Sequence, residues 1–534
     1  LICCALLFNL FINGVYSSHD SQVHIARITQ FNQAIIDGHF PVRWLNHWYF
    51  DYGYPTYVYL YSFPYYIGFL INLLIKNPEI IFKVLMFISF TGSAITFYIF
   101  AKNIRFKEIT ISKTAAAIGS IFYVAAPYRF ADIYERGALG EALFFVFAPL
   151  LFLGSVVFVQ NRLKGFVIST VATFALITTH LLSFLILLPM VIIFSLIYFQ
   201  NKINLLLKFF LSIALGFVLA AYQWVPMVFE QKYIELHKTY FNIYEGNFIS
   251  IYQLLRIPKE GINIGTGIQL GSAQNFIILI YLIYIRNSTL KKKPQNPLII
   301  FLLISTAFSA FLTTDLSKRI WNTFELLKTL IFSWRFLTYT TFSTAVLAAV
   351  FAAKIQKSEL KIIAMSAFIF LAIFPSRHYL TGKNWHTFGK EFYANYTDPL
   401  KFDSYYLPKG ANKNLDKLSL EPLSIIQGQG SVKLISKVTN QIHAEAYLSS
   451  DSIVQFHTIY FPGWQLYVDG QKSEIIKDSP NIEGIIVAKV QSGVREIDLK
   501  FEETLLRKMA NYTTLISFLV LSLIIIFKKN KRVF

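Results

Sequence analysis

Cysteine and charge are what this 534-residue sequence is short of, and each shortage excludes a class of protein. The two cysteines, Cys3 and Cys4, are neighbours in an apolar stretch. Adjacent thiols build neither a disulfide framework nor a thiolate metal site. Charged residues make up 15% of the chain, against roughly 25% in soluble domains. A water-soluble globule is therefore excluded as the main body. A phosphate-cradling glycine-rich loop and the His/Glu zinc pair of metalloproteases are also missing, and nothing resembles a nucleotide-sugar or nucleotide-triphosphate site. If the protein transfers a group, the donor comes from elsewhere, and the membrane is the obvious source.

What is present is apolar and aromatic: 55% of residues are hydrophobic, with 52 phenylalanines and 31 tyrosines. These residues cluster. Segments 141–160, 181–199 and 336–353 are nearly free of charge, and each is near the ~20 residues a helix needs to cross a hydrocarbon core. Candidate spans are 1–16, 79–101, 112–127, 141–160, 165–180, 181–199, 204–228, 273–286, 297–313, 336–353, 360–375 and 511–527. Residues 1–16 are short for a span, begin with Leu, and are read as a first helix rather than a cleaved signal peptide.

The net charge of +19 sits in short connectors. They carry Lys102, Arg105 and Lys107; Arg162 and Lys164; Arg286 and Lys291–Lys293; Lys354, Lys357 and Lys361; and Lys528, Lys529, Lys531 and Arg532. With these twelve spans every basic connector shares the side of the C-terminus, the cytoplasmic side under the positive-inside rule. Loops 17–56, 128–140, 229–272, 314–335 and 376–510 then fall outside. No contiguous basic face is visible, which excludes nucleic acid as a partner. Residues 57–75 are apolar enough to cross, but counting them inverts the sidedness of what flanks them. Pro64 and the five tyrosines there suit an interfacial or re-entrant element instead.

Residues 376–510 change character. Period-2 alternation in 443–448 and 495–501 reads as half-buried strands, and Asp469-Gly470 as a hairpin turn. The expected fold is mainly α: a polytopic bundle of about 12–13 spans, with most of it in 1–375. A β-sandwich-like extracytoplasmic domain over 376–510 and a last span with a basic cytoplasmic tail over 511–534 complete it.

Three groups of polar residues stand out. On a helix following the first span, Asp20, His24 and Arg27 fall at i, i+4 and i+7 and share one face. That makes an acid/base and anion-binding group at the membrane edge. The alternative is that Ser18 or Asp20 caps the helix and the rest is a solvated face, and on spacing alone that reading stands ahead. Between two spans, Tyr128, Arg129, Asp132, Glu135, Arg136 and Glu141 form the second group. Its arginines either hold a phosphate or pyrophosphate or pair with their own acids and tie helix ends together; the two readings are level. Last, His180, Glu230 and Arg335 adjoin apolar spans, where ionisable groups are functional candidates by default, although near a helix end Arg335 can snorkel and Glu230 can reach water. Trp334 reads as an interface anchor rather than a sugar platform.

Several blocks resemble known families. His19–Pro64, with Gly38-His39-Phe40-Pro41-Val42-Arg43-Trp44 and Asp51-Tyr52-Gly53-Tyr54-Pro55, is similar to bacterial membrane proteins described as "6-pyruvoyl-tetrahydropterin synthase-related". Segments 127–141, 178–183 and 332–337 share that resemblance. Tyr460-Phe461-Pro462-Gly463-Trp464, leading to Tyr467-Val468-Asp469-Gly470, resembles the YfhO family. Both belong with the GT-C glycosyltransferases, which use polyprenyl-phosphate sugars. The soluble synthase itself, a compact α+β protein with a three-histidine zinc site, resembles nothing here.

The resemblance implies a GT-C-like fold in the bacterial cytoplasmic membrane. It also implies hexosyl transfer from a polyprenyl-phosphate donor to a glycan, lipid or protein acceptor of the envelope. Asp20 maps to the general base of a single, inverting displacement, with His24 orienting the acceptor. Arg136, with Arg129 and Arg335 behind it, would stabilise the leaving phosphate; Arg27, Glu141, His180 and Glu230 are further site candidates. Many GT-C members carry adjacent acids where this chain has His19-Asp20, so a divalent metal is not supported and no cofactor is assigned. The competing classes are a flippase for a lipid-linked intermediate, which favours inverted repeats, broken helices and charges deep in spans, and a non-catalytic envelope scaffold.

Overall fold

The computed structural model describes residues 2–200, 202–235, 240–257, 268–290, 294–377, 380, 382–397, 406–411, 421–478 and 483–530. Of the basic connector residues, Lys291, Lys292, Lys293, Lys531 and Arg532 lie outside this set. The chain is a mainly α, polytopic bundle followed by a sheet-rich C-terminal region and a last helix. Pro78–Lys102, Leu139–Gln160, Arg162–Phe199, Ser333–Lys354 and Leu505–Phe527 are long and apolar enough to cross a membrane. Ile203–Leu219 and Ala221–Phe229 are long and apolar enough only when taken together, with a 70° bend between them, and Pro297–Thr313 and Ile362–Ile373 are shorter apolar helices. Several helices start where the sequence supplies a cap: Asn77, Ser112, Asn161 and Asn296 each accept a backbone N–H of the first turn, satisfying donors that have no partner within the helix.

The 38 residues from Arg162 to Phe199 are not one rod. At His180 the backbone leaves helical geometry (φ −162°, ψ 86°). A Cβ built on Gly165 would stand 2.6 Å from the Phe158 Cα, and the Phe199 ring lies 6.4 Å from the Phe158 ring. In a straight helix those two residues would be about 50 Å apart. The segment therefore folds back at His180, giving the two expected spans, with the histidine at the apex.

One expectation needs correction, and one open point gains a structure. Residues 1–16 are not one helix: Ile2–Leu6 is followed by a 3-10 turn, Phe8–Phe11, and a short strand, Val15–Ser17, paired with Lys383–His386. Asn9 and Asn13-Gly14 interrupt the apolar run. Asn9 donates to the Leu380 carbonyl (2.8 Å), and Lys83 takes the carbonyls of Ile12 and Gly14 (2.8 and 2.9 Å). Residues 57–75, left open above, form Thr56–Tyr59 and the ten-residue helix Phe63–Asn72. Ten residues reach about 15 Å, half of a ~30 Å core, so this helix is too short to cross, in line with the interfacial or re-entrant reading.

The basic connectors gather at one end. Tyr198 donates to the Arg105 carbonyl (2.9 Å), Asn296 to Glu108 (2.8 Å), and Lys354 sits 4.3 Å over the Tyr284 ring.

At the other end lies an antiparallel β-sandwich. One sheet runs Gln471–Ser473, Trp464–Val468, Gly493–Phe501, Gln441–Leu448, Gly430–Val438; the other runs Ile475–Asp478, Glu483–Val490, Ser452–Ile459, Leu423–Gln427. Alternate residues Ile442, Ala444, Ala446 and Leu448 are buried, as the period-2 pattern requires. Asp469 and Gly470 both have positive φ (50° and 76°), the geometry that a two-residue hairpin needs.

The block 38–55 meets this sandwich. Trp44 packs in an aromatic cluster with Phe461, Trp464 and Phe501. Asp37 accepts from the Thr439 N–H and hydroxyl (2.9 and 2.6 Å), and Arg43 pairs with Glu503 (3.2 Å). Glu230 closes the junction. Buried, it binds Arg507 through Nε and Nη2 (2.9 and 2.8 Å) and Thr504 (3.1 Å), while Arg507 also reaches the Pro462 carbonyl (2.9 Å).

A buried ion pair is costly to break one-sidedly, because the survivor is stranded in a low dielectric. Arg507→Ala is expected to destabilise the protein by about 3–5 kcal/mol, seen as a lowered Tm in detergent. The joint replacement of Glu230 and Arg507 by Leu and Met should cost less than Arg507→Ala alone. An unchanged Tm in Arg507→Ala would show the pair to be dispensable.

Candidate functional site

Loops 17–56 and 128–140 are stitched backbone to backbone. His19 N–H donates to the Glu135 carbonyl (3.1 Å) and Asp20 N–H to the Arg136 carbonyl (2.9 Å). Such close approach requires Gly137, whose φ is +64° and where a Cβ would overlap the Ser18 hydroxyl. Ser18, not Asp20, caps the helix Ser21–Ile36, accepting from the Ser21 N–H (3.1 Å). The Asp20 side chain is thus released from capping, and Asp20, His24 and Arg27 all line one cavity. His24 Nδ1 is 2.7 Å from the Tyr65 hydroxyl. Burial first, and then the Arg27 charge, hold its imidazole well below the ordinary histidine range, so it is neutral.

Arg136 belongs to the π-helical turn Ala131–Arg136. Its Nη1 donates to Asp132 (2.6 Å) and Glu141 (2.7 Å). Tyr128 gives a short hydrogen bond to the other Glu141 oxygen. Burial first, and then Glu141, push the Asp132 carboxyl up to about 8, against the pull of Arg136 and Arg129. Arg129 takes no part in the cavity. It is fully buried beneath it, 3.9 Å over the Phe145 ring, and donates to the carbonyls of Ala142 and Ser89 (3.4 Å each).

From the third quarter of the chain comes Arg335. Its Nη1 donates to the Leu330 carbonyl, its Nε stands 3.9 Å from Glu141, and its Nη2 bonds to no described residue. Trp334, stacked on Phe332 (4.7 Å), lines the cavity. At the hairpin apex, His180 Nδ1 accepts from the Ser183 N–H (3.2 Å). Tyr61 lies 5.9 Å from the His180 ring, and its hydroxyl accepts the Gly140 N–H (3.1 Å). Any Cβ at Gly140 would overlap that ring.

The cavity, about 710 Å³, takes wall residues from each of loops 17–56, 128–140, 229–272, 314–335 and 376–510, and from the His180 turn. These five are the connectors that the charge pattern put on the side away from the basic ones. Asp20, His24, Arg27, Arg136, Glu141, His180 and Arg335 come together there; Arg129 and Glu230 do not. Among the described residues, the group close enough to share a metal ion is His443, Glu496 and Asp498, on the sandwich and outside the cavity lining. Tyr61 was missed in the sequence because tyrosines in an apolar stretch read as headgroup anchors; the nearby glycine Gly140 was the available signal.

Residues 57–383, more than half of the chain, match the model of a family described as 6-pyruvoyl-tetrahydropterin synthase related domain, membrane protein. The chain belongs to this family. The family match begins after the Asp20 loop and ends before the sandwich. No curated protein matches the chain. Among solved structures it is similar to the arabinofuranosyltransferase AftD from Mycobacteria (TM-score 0.44, 11% identity, 77% of this chain and 26% of that one). It is also similar to ArnT from Cupriavidus metallidurans bound to undecaprenyl phosphate (0.39, 11%, 68% and 62%). A third is the oligosaccharyltransferase AglB from Archaeoglobus fulgidus in complex with an inhibitory peptide and a dolichol-phosphate (0.40, 14%, 76% and 58%). The chain thus spans about a quarter of AftD's length.

The shifted Asp132 makes a pH prediction. Unfolded, it ionises near its ordinary 3.8; folded, it keeps its proton to about 8. Between those values the folded state binds the extra proton, so this group lowers stability as pH rises through the window. Asp132→Asn should flatten the fall of Tm between about pH 4 and 8. An unaltered pH profile would mean that Asp132 is ionised throughout, held by Arg136.

Proposed function

We propose that this protein is a membrane glycosyltransferase. It transfers a hexosyl group from a polyprenyl-phosphate donor to a glycan, lipid or protein acceptor of the cell envelope. The observation that carries the reading is the gathering of Asp20, His24, Arg136, Glu141, His180 and Arg335, from separate segments, around one cavity. The resemblance to the GT-C enzymes supplies the donor class. Its place is the bacterial cytoplasmic membrane, with the cavity and sandwich at the outer face and the basic connectors in the cytoplasm.

In this reading Asp20 takes the proton of an acceptor hydroxyl as that oxygen attacks the anomeric carbon. The bond from that carbon to the phosphate oxygen breaks, and polyprenyl phosphate leaves with the electron pair. One displacement inverts the anomeric centre. The leaving phosphate gathers charge where a guanidinium can meet it. Geometry favours Arg335 over Arg136 for that contact. Arg136 already serves Asp132 and Glu141 at 2.6 and 2.7 Å, whereas Arg335 has an Nη2 with no bond to a described residue. Arg136 then fixes Glu141, and Glu141 fixes Arg335. Neutral His24, held by Tyr65, orients the acceptor.

One observation favours a second reading. The 70° break between Ile203–Leu219 and Ala221–Phe229 is a feature that transporters use at binding sites. Reconstituted membranes separate the two. Wild type is expected to transfer sugar from a polyprenyl-phosphate donor, and Asp20→Asn to lose about 10²–10⁴-fold of that rate with Tm unchanged. Equal transfer by both proteins removes Asp20 from the mechanism. Movement of donor across the bilayer without transfer supports the flippase.

A further inference from the structure

Three donors in the cavity share a property. Each is held by at least one hydrogen bond to the protein and keeps an N–H or O–H with no acceptor among the described residues. The Tyr61 oxygen accepts the Gly140 N–H, and its own proton meets no acceptor among the described residues. Burial pushes the phenol's pKa up, so that proton stays in place. His180 Nδ1 accepts the Ser183 N–H; the neutral ring therefore carries its hydrogen on Nε2, and Nε2 bonds to no described residue. Arg335 has Nη2 in the same condition. The three are near one another: the Tyr61 and His180 rings are 5.9 Å apart. Tyr61 is tied to Gly140, next in sequence to Glu141, which stands 3.9 Å from Arg335.

A ligand that satisfies three donors and offers none in return is an acceptor-only group. A sugar hydroxyl, which donates as well as accepts, fits this set less well than a phosphate. We propose that Tyr61 and His180 are phosphate-binding residues, which with Arg335 complete a three-donor seat for the phosphate of a polyprenyl lipid. This rests on the glycosyltransferase reading only in its choice of lipid. It assigns Tyr61 a task that its place in an interfacial segment hid, and explains why position 140 is glycine.

The test is binding, not turnover. Purified full-length protein in nanodiscs is titrated with undecaprenyl phosphate and with undecaprenol. Wild type is expected to prefer the phosphate. Tyr61→Phe keeps the ring and removes the hydroxyl; His180→Asn keeps an acceptor for Ser183 and removes Nε2–H. Each is expected to cut that preference about tenfold to a hundredfold, the scale of one hydrogen bond to a charged group, with undecaprenol binding unchanged. A merely structural role would alter Tm or both lipids equally. If wild type prefers the phosphate and neither variant loses preference, the seat is overturned and the glycosyltransferase reading stands. If wild type shows no preference, both fall. Inorganic phosphate as competitor separates the sources: no displacement at millimolar concentration supports lipid-borne phosphate, and displacement at micromolar concentration overturns it.

Discussion

Arg136 is the constraint around which the cavity end of the bundle is organised. A guanidinium taken out of water costs several kcal/mol unless opposite charge and full hydrogen bonding come with it. Here Glu141 supplies the opposite charge at 2.7 Å, and Asp132 a second hydrogen-bond acceptor at 2.6 Å. Because the same residue's carbonyl receives the Asp20 N–H, satisfying the guanidinium also fixes where Asp20 stands. Gly137 and Gly140 make this possible by removing the Cβ atoms that would hold Ser18 and Tyr61 away. The short run from Asp132 to Glu141 thus positions two loops at once.

A second buried pair does for the sandwich what Arg136 does for the loops. Glu230 and Arg507 join the bent helix pair, the last helix and the Pro462 turn. Tyr59, which lines the cavity, donates to the Glu230 carbonyl (2.7 Å). The sandwich is thereby tied to the cavity wall rather than hung from it. The conspicuous motifs Gly38–Trp44 and 460–464 are accounted for by that docking: Trp44 packs on Phe461 and Trp464, and none of the three lines the cavity.

Much of this was legible in the sequence, because hydropathy is a property of long runs. The helices at 79–101, 141–160, 297–313 and 336–353, and the turn at His180 between two spans, follow from where apolar runs stop. The strands at 443–448 and 495–501 follow from alternation. Short runs are harder to read. In 1–16 a pair of asparagines and a glycine outweigh the apolar count, which the reading as one helix overlooked; in 57–75 the proline and tyrosines that pointed to a non-crossing element do break the stretch. At the site, helical spacing put Asp20, His24 and Arg27 on one face but favoured a capped, solvated face over a cavity wall, because spacing says nothing of what packs over that face. Arg129 and Arg136 were not separable, since seven residues on a mixed α/π turn leave the facing of each to tertiary packing. Glu230 looked like a membrane-edge acid because its partner, Arg507, lies 277 positions away.

The cavity is walled by all five of the loops 17–56, 128–140, 229–272, 314–335 and 376–510, and the function proposed above puts a lipid-borne substrate there. Its apolar tail would stay against helices whose exposed faces are already hydrophobic, such as Leu505–Asn530, while its headgroup reaches the charged wall. The most direct measurement of that claim is photo-crosslinking in membranes. A polyprenyl phosphate bearing a diazirine close to the phosphate would be activated and its adducts mapped by mass spectrometry. Adducts on Ile177–Leu182 and Ile331–Arg335, suppressed by unlabelled undecaprenyl phosphate, are the predicted result. Adducts confined to the exposed face of Leu505–Asn530, and not suppressed, would contradict it.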